Sequence, residues 1–270
     1  MTFTTEYRDY IRTARKGSEF GFKLKTVAKL EKPLSFLYED WWKVDLAGQK
    51  HLPENGPVLL VGNTGGVLPW SALMMLYALM ADQKHPRRLS ILADLDTIED
   101  ERLYNFLVEL GFVSWSADNA KRLFNQGEVV AIFPEGLMGA VKPFSERYRL
   151  RNFDWTKFLP AVEQKVPVLP LATLGPDESF PVSANLPGLA RLLDLPAFPI
   201  TPFFPWLPMP ANLFSFPVKW KMRIMKPVDY TYGGSRDAIE ESAKKLALFV
   251  EGEVQAELNR LLRQRIKPLF

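Results

Sequence analysis

The sequence predicts an α/β fold, a mostly parallel sheet flanked by helices, with an N-terminal helical extension and a long C-terminal helix. Three observations carry this. Short continuous apolar runs bounded by turn residues, PVLLVG (57–62), EVVAIF (128–133) and VPVLPLATLG (166–175), read as strands buried on both faces. Helix-like segments separate them, and strand alternating with helix implies a parallel sheet. Near the C-terminus, Ile239, Ala243, Leu246, Val250, Val254, Leu258 and Leu261 fall on one helical face that Ser235 or Asp237 can cap.

In chain order, residues 1–34 form a basic amphipathic helical extension and residues 35–270 the α/β domain. LYEDWWKVDLAG and the turn HLPENG lead into the first core strand, 57–62, and WSALMMLYALMA reads as a helix. GNTGGVLPWS therefore connects a strand to a helix at the carboxyl end of a parallel strand, where open α/β sheets bind ligands. RLSILAD (88–94) is strand-like, 97–110 helical, GFVSW a short strand and 117–126 a helix. EVVAIF runs directly into PEGLMGAVKPFSERYRL. A helix near 155–164, the strand VPVLPLATLG and the strand candidate VKWKMRI (218–224) complete the series. The uncharged, Pro-, Phe- and Trp-rich segment 197–217 breaks the alternation. It cannot be a continuous helix, and it either wraps the core, lines an apolar cavity or touches lipid.

Composition narrows the chemistry. With 47% hydrophobic and 24% charged residues, the 270-residue chain is that of a folded globular protein. There are no cysteines and two histidines, which excludes disulfides and thiolates and predicts no metal site. A net charge of +3 gives no reason to expect a nucleic-acid partner. Residues 1–33 hold eight basic and four acidic side chains interleaved with Phe20, Phe22, Leu24, Val27 and Leu30. That pattern suits helices lying on an anionic membrane, and equally a solvated helix packed on the domain. Without a signal-peptide core or a run of about 18 apolar residues, the chain is expected in the cytoplasm, peripheral on the inner membrane face.

FPEG (133–136), continued as GLMGAVKPFSERYRLRNF, resembles the central motif of the glycerolipid acyltransferases, the superfamily of 1-acylglycerol-3-phosphate acyltransferases. VPVLPLATLGPDE (166–178) is similar to their later proline-containing strand, and WWKVDLAGQKHLPENGPVLLVGN and LLDLPAFPITPFFPWL with VKWKMRI resemble a bacterial branch. The resemblance runs from about residue 35 to the C-terminus. It implies acyl transfer from acyl-CoA or acyl carrier protein to an alcohol, by a histidine that takes the hydroxyl proton and an aspartate that orients the imidazole. In the branch's loop, Asn-His is followed by Gly, Leu-Pro-aromatic and Asp. Here Asn63, Gly66, Leu68, Pro69 and Trp70 match, but Thr64 stands at the histidine position and Ser71 at the aspartate position.

Neither hydroxyl is a base at neutral pH, so no catalytic pair is intact. Of the substitutes, His51 lies in a turn before the loop and His85 is expected opposite the ligand edge. Asp94, Asp177 and Glu178 fall on the ligand edge. The resemblance implies that Phe133, Glu135 and Gly136 help bind a glycerol-phosphate acceptor; read alone, they make a strand-end turn in which Glu135 caps a helix. Lys142, Arg147, Arg149 and Arg151 could meet a phosphate or only water. Many superfamily members carry Thr-Arg after FPEG, where this chain has Leu137 and Met138. The expected ligand-binding set is Asn63, Thr64, Gly66, Ser71, Phe133, Glu135, Gly136, Lys142 and Arg147. The leading expectation is a pseudoenzyme holding a lipid, acyl chain or protein partner in the former active-site cleft, with membrane contact through the N-terminal helices and residues 197–217. The alternatives are an active O-acyltransferase using Asp94, Asp177 or Glu178, and a non-catalytic scaffold with a filled cleft.

Overall fold

A computed structural model describes residue 9 and residues 18–66, 68–81, 86–192, 198–202, 206, 215–231 and 235–265. His85 and most of residues 1–17 and 203–214 lie outside the described residues. Nine strands occur among them: β1 (Asp45–Ala47), β2 (Val58–Gly62), β3 (Leu89–Ala93), β4 (Phe112–Ser114), β5 (Val129–Ile132), β6 (Val168–Leu174), β7 (Ala184–Asn185), β8 (Pro199–Ile200) and β9 (Lys221–Ile224). Seven form one sheet in the order β1-β9-β6-β2-β5-β3-β4, and β7 and β8 make a small hairpin. From β6 to β4 every pairing is parallel. β9 runs antiparallel to β6 and carries β1 parallel to itself, so the last two strands are reversed.

The continuous apolar runs explain the centre of the sheet. β2, β5 and β6 are buried at every residue, as strands covered on both faces must be. Along β2 the period of two divides the core: Val58 and Leu60 join a cluster with the helix Trp70–Met80, while Leu59 and Val61 join one with the C-terminal helix Arg236–Arg263. The Trp70–Met80 helix is buried nearly all round, with nine inaccessible residues, which is why its sequence is apolar on every face. In the C-terminal helix Ser235, not Asp237, makes the cap by accepting the Ala238 amide at 3.3 Å.

Some elements differ from expectation. The helix expected over 97–110 begins as a 3₁₀ turn, Leu95–Thr97, and becomes α-helical only at Glu101–Leu110, where Asp100 accepts the Leu103 amide. The 155–164 helix likewise opens as a 3₁₀ turn before Leu159–Gln164. β1, the β7–β8 pair and a π-helical turn at Phe36–Trp41 were not predicted; all are short and without an apolar period, and β8 alone among them begins on a buried residue, Pro199.

The described part of the N-terminal segment packs on the domain. Phe22, Val27 and Leu34 enter the core, and the Phe22 ring lies 4.6 Å from the Arg88 guanidinium. Lys23 donates its amide to the Glu109 carbonyl and its ammonium to the Glu109 carboxylate, fixing the segment near the amino end of β4. Lys25, Lys29 and Lys32 face solvent. Within 197–217, Phe198 and Thr201 are buried beside the hairpin while Trp206 is 84% exposed, so the described residues of this segment partly wrap the core. Among the described residues no helix is long and apolar enough to cross a membrane.

Candidate functional site

The connection after β2 is held by contacts that the sequence could not specify. The Asn63 amide is committed to β6, donating to the Thr173 carbonyl at 3.0 Å and accepting the Thr173 amide at 2.7 Å. A Cβ on Gly65 would stand 2.4 Å from Pro176 Cβ. Gly66, at φ +73, would bring one to 3.0 Å from the Phe180 ring. Both positions therefore need glycine, for close approach and for backbone conformation. The chain then enters the helix at Trp70, with Ser71 in its first turn.

Glu135 joins this connection to the next one. Its carboxylate is 5% exposed and accepts two amides, Thr64 at 2.7 Å and Arg151 at 2.8 Å. It occupies the N-cap of the helix Gly136–Ala140 without making a side-chain cap bond. This corrects the capping reading, because the side chain turns back to the loops rather than forward along the helix. Burial pushes the Glu135 carboxyl up, opposed by Lys142 and the two amides. Glu135→Ala would strand two backbone donors at about 1–3 kcal/mol each. We expect a net stability loss of at least about 2 kcal/mol in urea titration, since relief of carboxylate burial offsets only part of it.

Lys142 is not a free cation. Its ammonium is buried, 3.2 Å from the Asp177 carboxylate and 3.4 Å from the Thr64 carbonyl, and Asp177 also accepts the Tyr148 amide at 2.7 Å. Burial raises the Asp177 carboxyl, with Lys142 the main opposing influence. Arg147 is exposed and lies over the Phe144 ring at 4.5 Å. Arg149 is exposed, and Arg151 pairs with Glu146 at 2.5 Å. Phe133 packs against the core beneath Gly62, and Gly136, at φ +57, has open space where a side chain would stand.

Each carboxylate proposed as a substitute base has a partner. Asp94 pairs with Lys157 at 2.9 Å, Glu178 with Arg265 at 2.6 Å, and Asp177 with Lys142. His51 Nδ1 lies 2.9 Å from the Ile224 carbonyl. It lines a groove of about 710 Å³ by the amino end of β6, away from the loop. That groove mixes Lys226 and Arg260 with Asp229 and Glu253 and gives no convergent charge for a reaction.

What remains unused at the loop is uncharged. Thr64 Oγ1, Ser71 Oγ, Trp70 Nε1 and Thr173 Oγ1 are buried and without hydrogen-bond partners among the described residues. Beside them stands an aromatic wall: Trp42 stacks on Trp220 at 4.4 Å and meets Trp70 edge-on at 5.4 Å, and Trp70 stacks on Phe180 at 6.2 Å. Sequence reasoning missed this wall and the Lys142–Asp177 pair. The tryptophans of WWK and VKW were the available signal for the wall. The cavity between Gly66, Lys142, Phe144, Asp177 and Phe180 holds about 10 Å³, room for about one water.

The sequence pattern of the family described as Acyltransferase matches residues 43–174, from β1 through β6. An uncharacterized protein of Mycobacterium tuberculosis is 34% identical over 255 residues, covering 93% of this chain and 71% of the relative. One of Mycobacterium leprae is 34% identical over 256 residues, covering 93% and 69%. Among solved structures, the 1-acyl-sn-glycerophosphate (LPA) acyltransferase PlsC from Thermotoga maritima superposes with a TM-score of 0.54 at 17% identity, over 94% of this chain and 82% of that one. The acyltransferase-family pattern thus spans the strands that carry the loop, the fold of PlsC is matched over nearly the whole length, and at 34% identity over 93% of its residues this chain belongs to one family with the mycobacterial proteins.

Proposed function

We propose that this chain is a non-catalytic acyltransferase-fold protein that holds a lipid, acyl chain or related amphiphile at the carboxyl end of its sheet, on the cytoplasmic face of a membrane. The observation that carries this reading is the pair of buried, unpartnered hydroxyls of Thr64 and Ser71. An acceptor alcohol must lose a proton as it attacks a thioester, and neither hydroxyl takes one near neutral pH. Losing a general base lowers rates by about 10²–10⁴, and a dyad acting as a unit can account for about 10⁶. The carboxylates on the ligand edge already bind Lys157, Lys142 and Arg265.

Ligand holding is supported by the same atoms. Buried polar groups are nearly always hydrogen-bonded, and four unused ones, Thr64 Oγ1, Trp70 Nε1, Ser71 Oγ and Thr173 Oγ1, belong to the connection after β2 and to the end of β6, at the carboxyl end of the sheet where ligands bind. A polar headgroup that both donates and accepts would satisfy them, and the aromatic wall gives its hydrocarbon a neighbour. A second reading, a filled cleft used as a scaffold for a protein partner, is favoured by the cavity of about 10 Å³ under Gly66.

Native mass spectrometry with lipid extraction, paired with acyl transfer from a panel of acyl-CoAs and acyl carrier proteins to lysolipids, tests both. We expect a co-purifying amphiphile and wild-type turnover at background, with turnover rising in the Thr64→His, Ser71→Asp double variant. Wild-type turnover abolished by Asp177→Asn would overturn the non-catalytic reading. An empty protein that takes up no added lipid would leave the scaffold.

A further inference from the structure

The C-terminal helix, Arg236–Arg263, buries one face in the core and leaves the opposite face exposed. An outward helix face ordinarily carries charge, and the middle of this one does not. Leu248 and Phe249 are 71% and 54% exposed. One and two turns further along, Gly252 and Ala256 present almost no side chain, and a Cβ on Gly252 would meet nothing within 4 Å. Adjacent large apolar side chains beside a hollow of small ones mark an interaction surface rather than scattered exposure.

The spacing and charge along this face select the partner. Glu241, Lys245, Leu248, Gly252, Ala256, Asn259 and Arg263 are all exposed, at intervals of 4, 3, 4, 4, 3 and 4 residues, which keeps them in one line on a helix with 3.6 residues per turn. The intervals are symmetric about Gly252. When a second copy lies antiparallel with Gly252 at the crossing, every position meets its mirror position, as a two-fold interface requires. Leu248 then enters the hollow at Ala256, Lys245 faces the neutral Asn259, and Glu241 faces Arg263. Arg263 makes no ion pair among the described residues, and Glu241 holds only an exposed contact to Lys245 at 3.2 Å, which contributes little. A parallel pair would instead set Glu241 against Glu241 and Arg263 against Arg263. The flanking cations are already engaged: Arg260 binds Glu257, and Lys244 lies over the Trp155 ring at 4.7 Å.

We infer that this face is a homodimer interface, on which a second copy of the chain docks antiparallel across Gly252, with Leu248 and Phe249 as apolar anchors and a Glu241–Arg263 ion pair at each end. From Glu241 to Arg263 the seam runs about 33 Å at 1.5 Å per residue. One helix against one helix is at the small end of specific interfaces, so the dimer dissociates in the micromolar range. No residue of the candidate site lies on the seam, and the inference does not depend on the ligand-holding reading.

Sedimentation velocity of the full chain between about 1 µM and about 300 µM should show a reversible monomer–dimer equilibrium. Gly252→Glu places two like charges at the crossing and should weaken association at least about tenfold. The open space at Gly252 and the higher helix propensity of glutamate keep the monomer folded. Glu241→Arg should weaken association about threefold or more through two symmetric pairs, and adding Arg263→Glu should restore it. Because the chain contains no cysteine, single replacements report the alignment. On oxidation Gly252→Cys should give a disulfide-linked dimer, whereas Glu241→Cys, about 33 Å from its counterpart, should not. A monomer throughout the concentration range would overturn the inference and leave the face to a different partner. A dimer that Gly252→Glu leaves intact would place the interface elsewhere, and equal cross-linking of both cysteine variants would exclude the antiparallel alignment. These measurements use neither lipid nor acyl donor, so the dimer and the ligand-holding reading fail separately.

Discussion

Lys142→Met should lower stability by about 3–5 kcal/mol at neutral pH, the loss expected when one member of a buried ion pair is removed. Both side chains are almost inaccessible, at 3% and 6% exposure, and the pair is 3.2 Å apart. Without the ammonium, Asp177 keeps the Tyr148 amide but must carry an uncompensated charge or take up a proton. The pH dependence follows. Burial already holds the Asp177 carboxyl above its ordinary range with Lys142 opposing, and removing Lys142 raises it further. A carboxyl raised on folding binds more protons in the folded state, so its contribution worsens as pH rises through the interval between the unfolded and folded values. The deficit should therefore be largest near neutrality and shrink as the pH falls toward about 5. Urea titrations at about pH 5 and about pH 8 would show this, and a flat deficit would contradict it. Adding Asp177→Asn to Lys142→Met should recover much of the loss at neutral pH, giving a coupling energy from a double-mutant cycle.

Trp220→Ala should be about as severe, at roughly 3–5 kcal/mol. The ring is fully buried, stacks on Trp42 and donates Nε1–H to Ser179 Oγ at 2.8 Å. The neighbouring backbone leaves no slack: Gly175, at φ +126, would put a Cβ 2.4 Å from the indole. The cavity would open on Trp42, which in turn positions Trp70 of the site. Trp220→Phe keeps most of the stack but not the hydrogen bond, and should lose less than half as much. Shifts in urea midpoint at unchanged slope would measure both, and near-equal losses would show that the Ser179 bond, rather than ring packing, dominates.

The interior of the fold was legible because strands covered on both faces leave an unambiguous mark: β2, β5 and β6 were read from continuous apolar runs, and β3 from the strand-like RLSILAD. β9 was seen but not its direction, since side-chain pattern alone does not distinguish a parallel from an antiparallel neighbour. β1 is three residues long and half-exposed, and it exists because β9 is there to pair with it. At the site, residue identity was legible and partnership was not. Thr64 and Ser71 could be placed from the loop frame at the positions where the resemblance implies histidine and aspartate. Lys142 and Asp177 are 35 positions apart and meet only because two connections share one end of the sheet. Lys142, read as a phosphate contact, is held inside by Asp177; Glu135, read alone as a cap, reaches two loops instead.

The reversed strand has a consequence for the order in which the molecule is made. β1 touches the sheet only through β9, pairing Asp45 with Lys221. β6 presents an unprotected edge until β9 covers it. A chain emerging from the ribosome can assemble the parallel strands β2 to β6 with its own earlier segments, but residues 45–47 must wait for a partner some 175 positions later. Contacts of such separation form slowly. An open strand edge on a half-made domain invites pairing with other chains, so truncations before residue 221 should accumulate as aggregates rather than as smaller folded proteins.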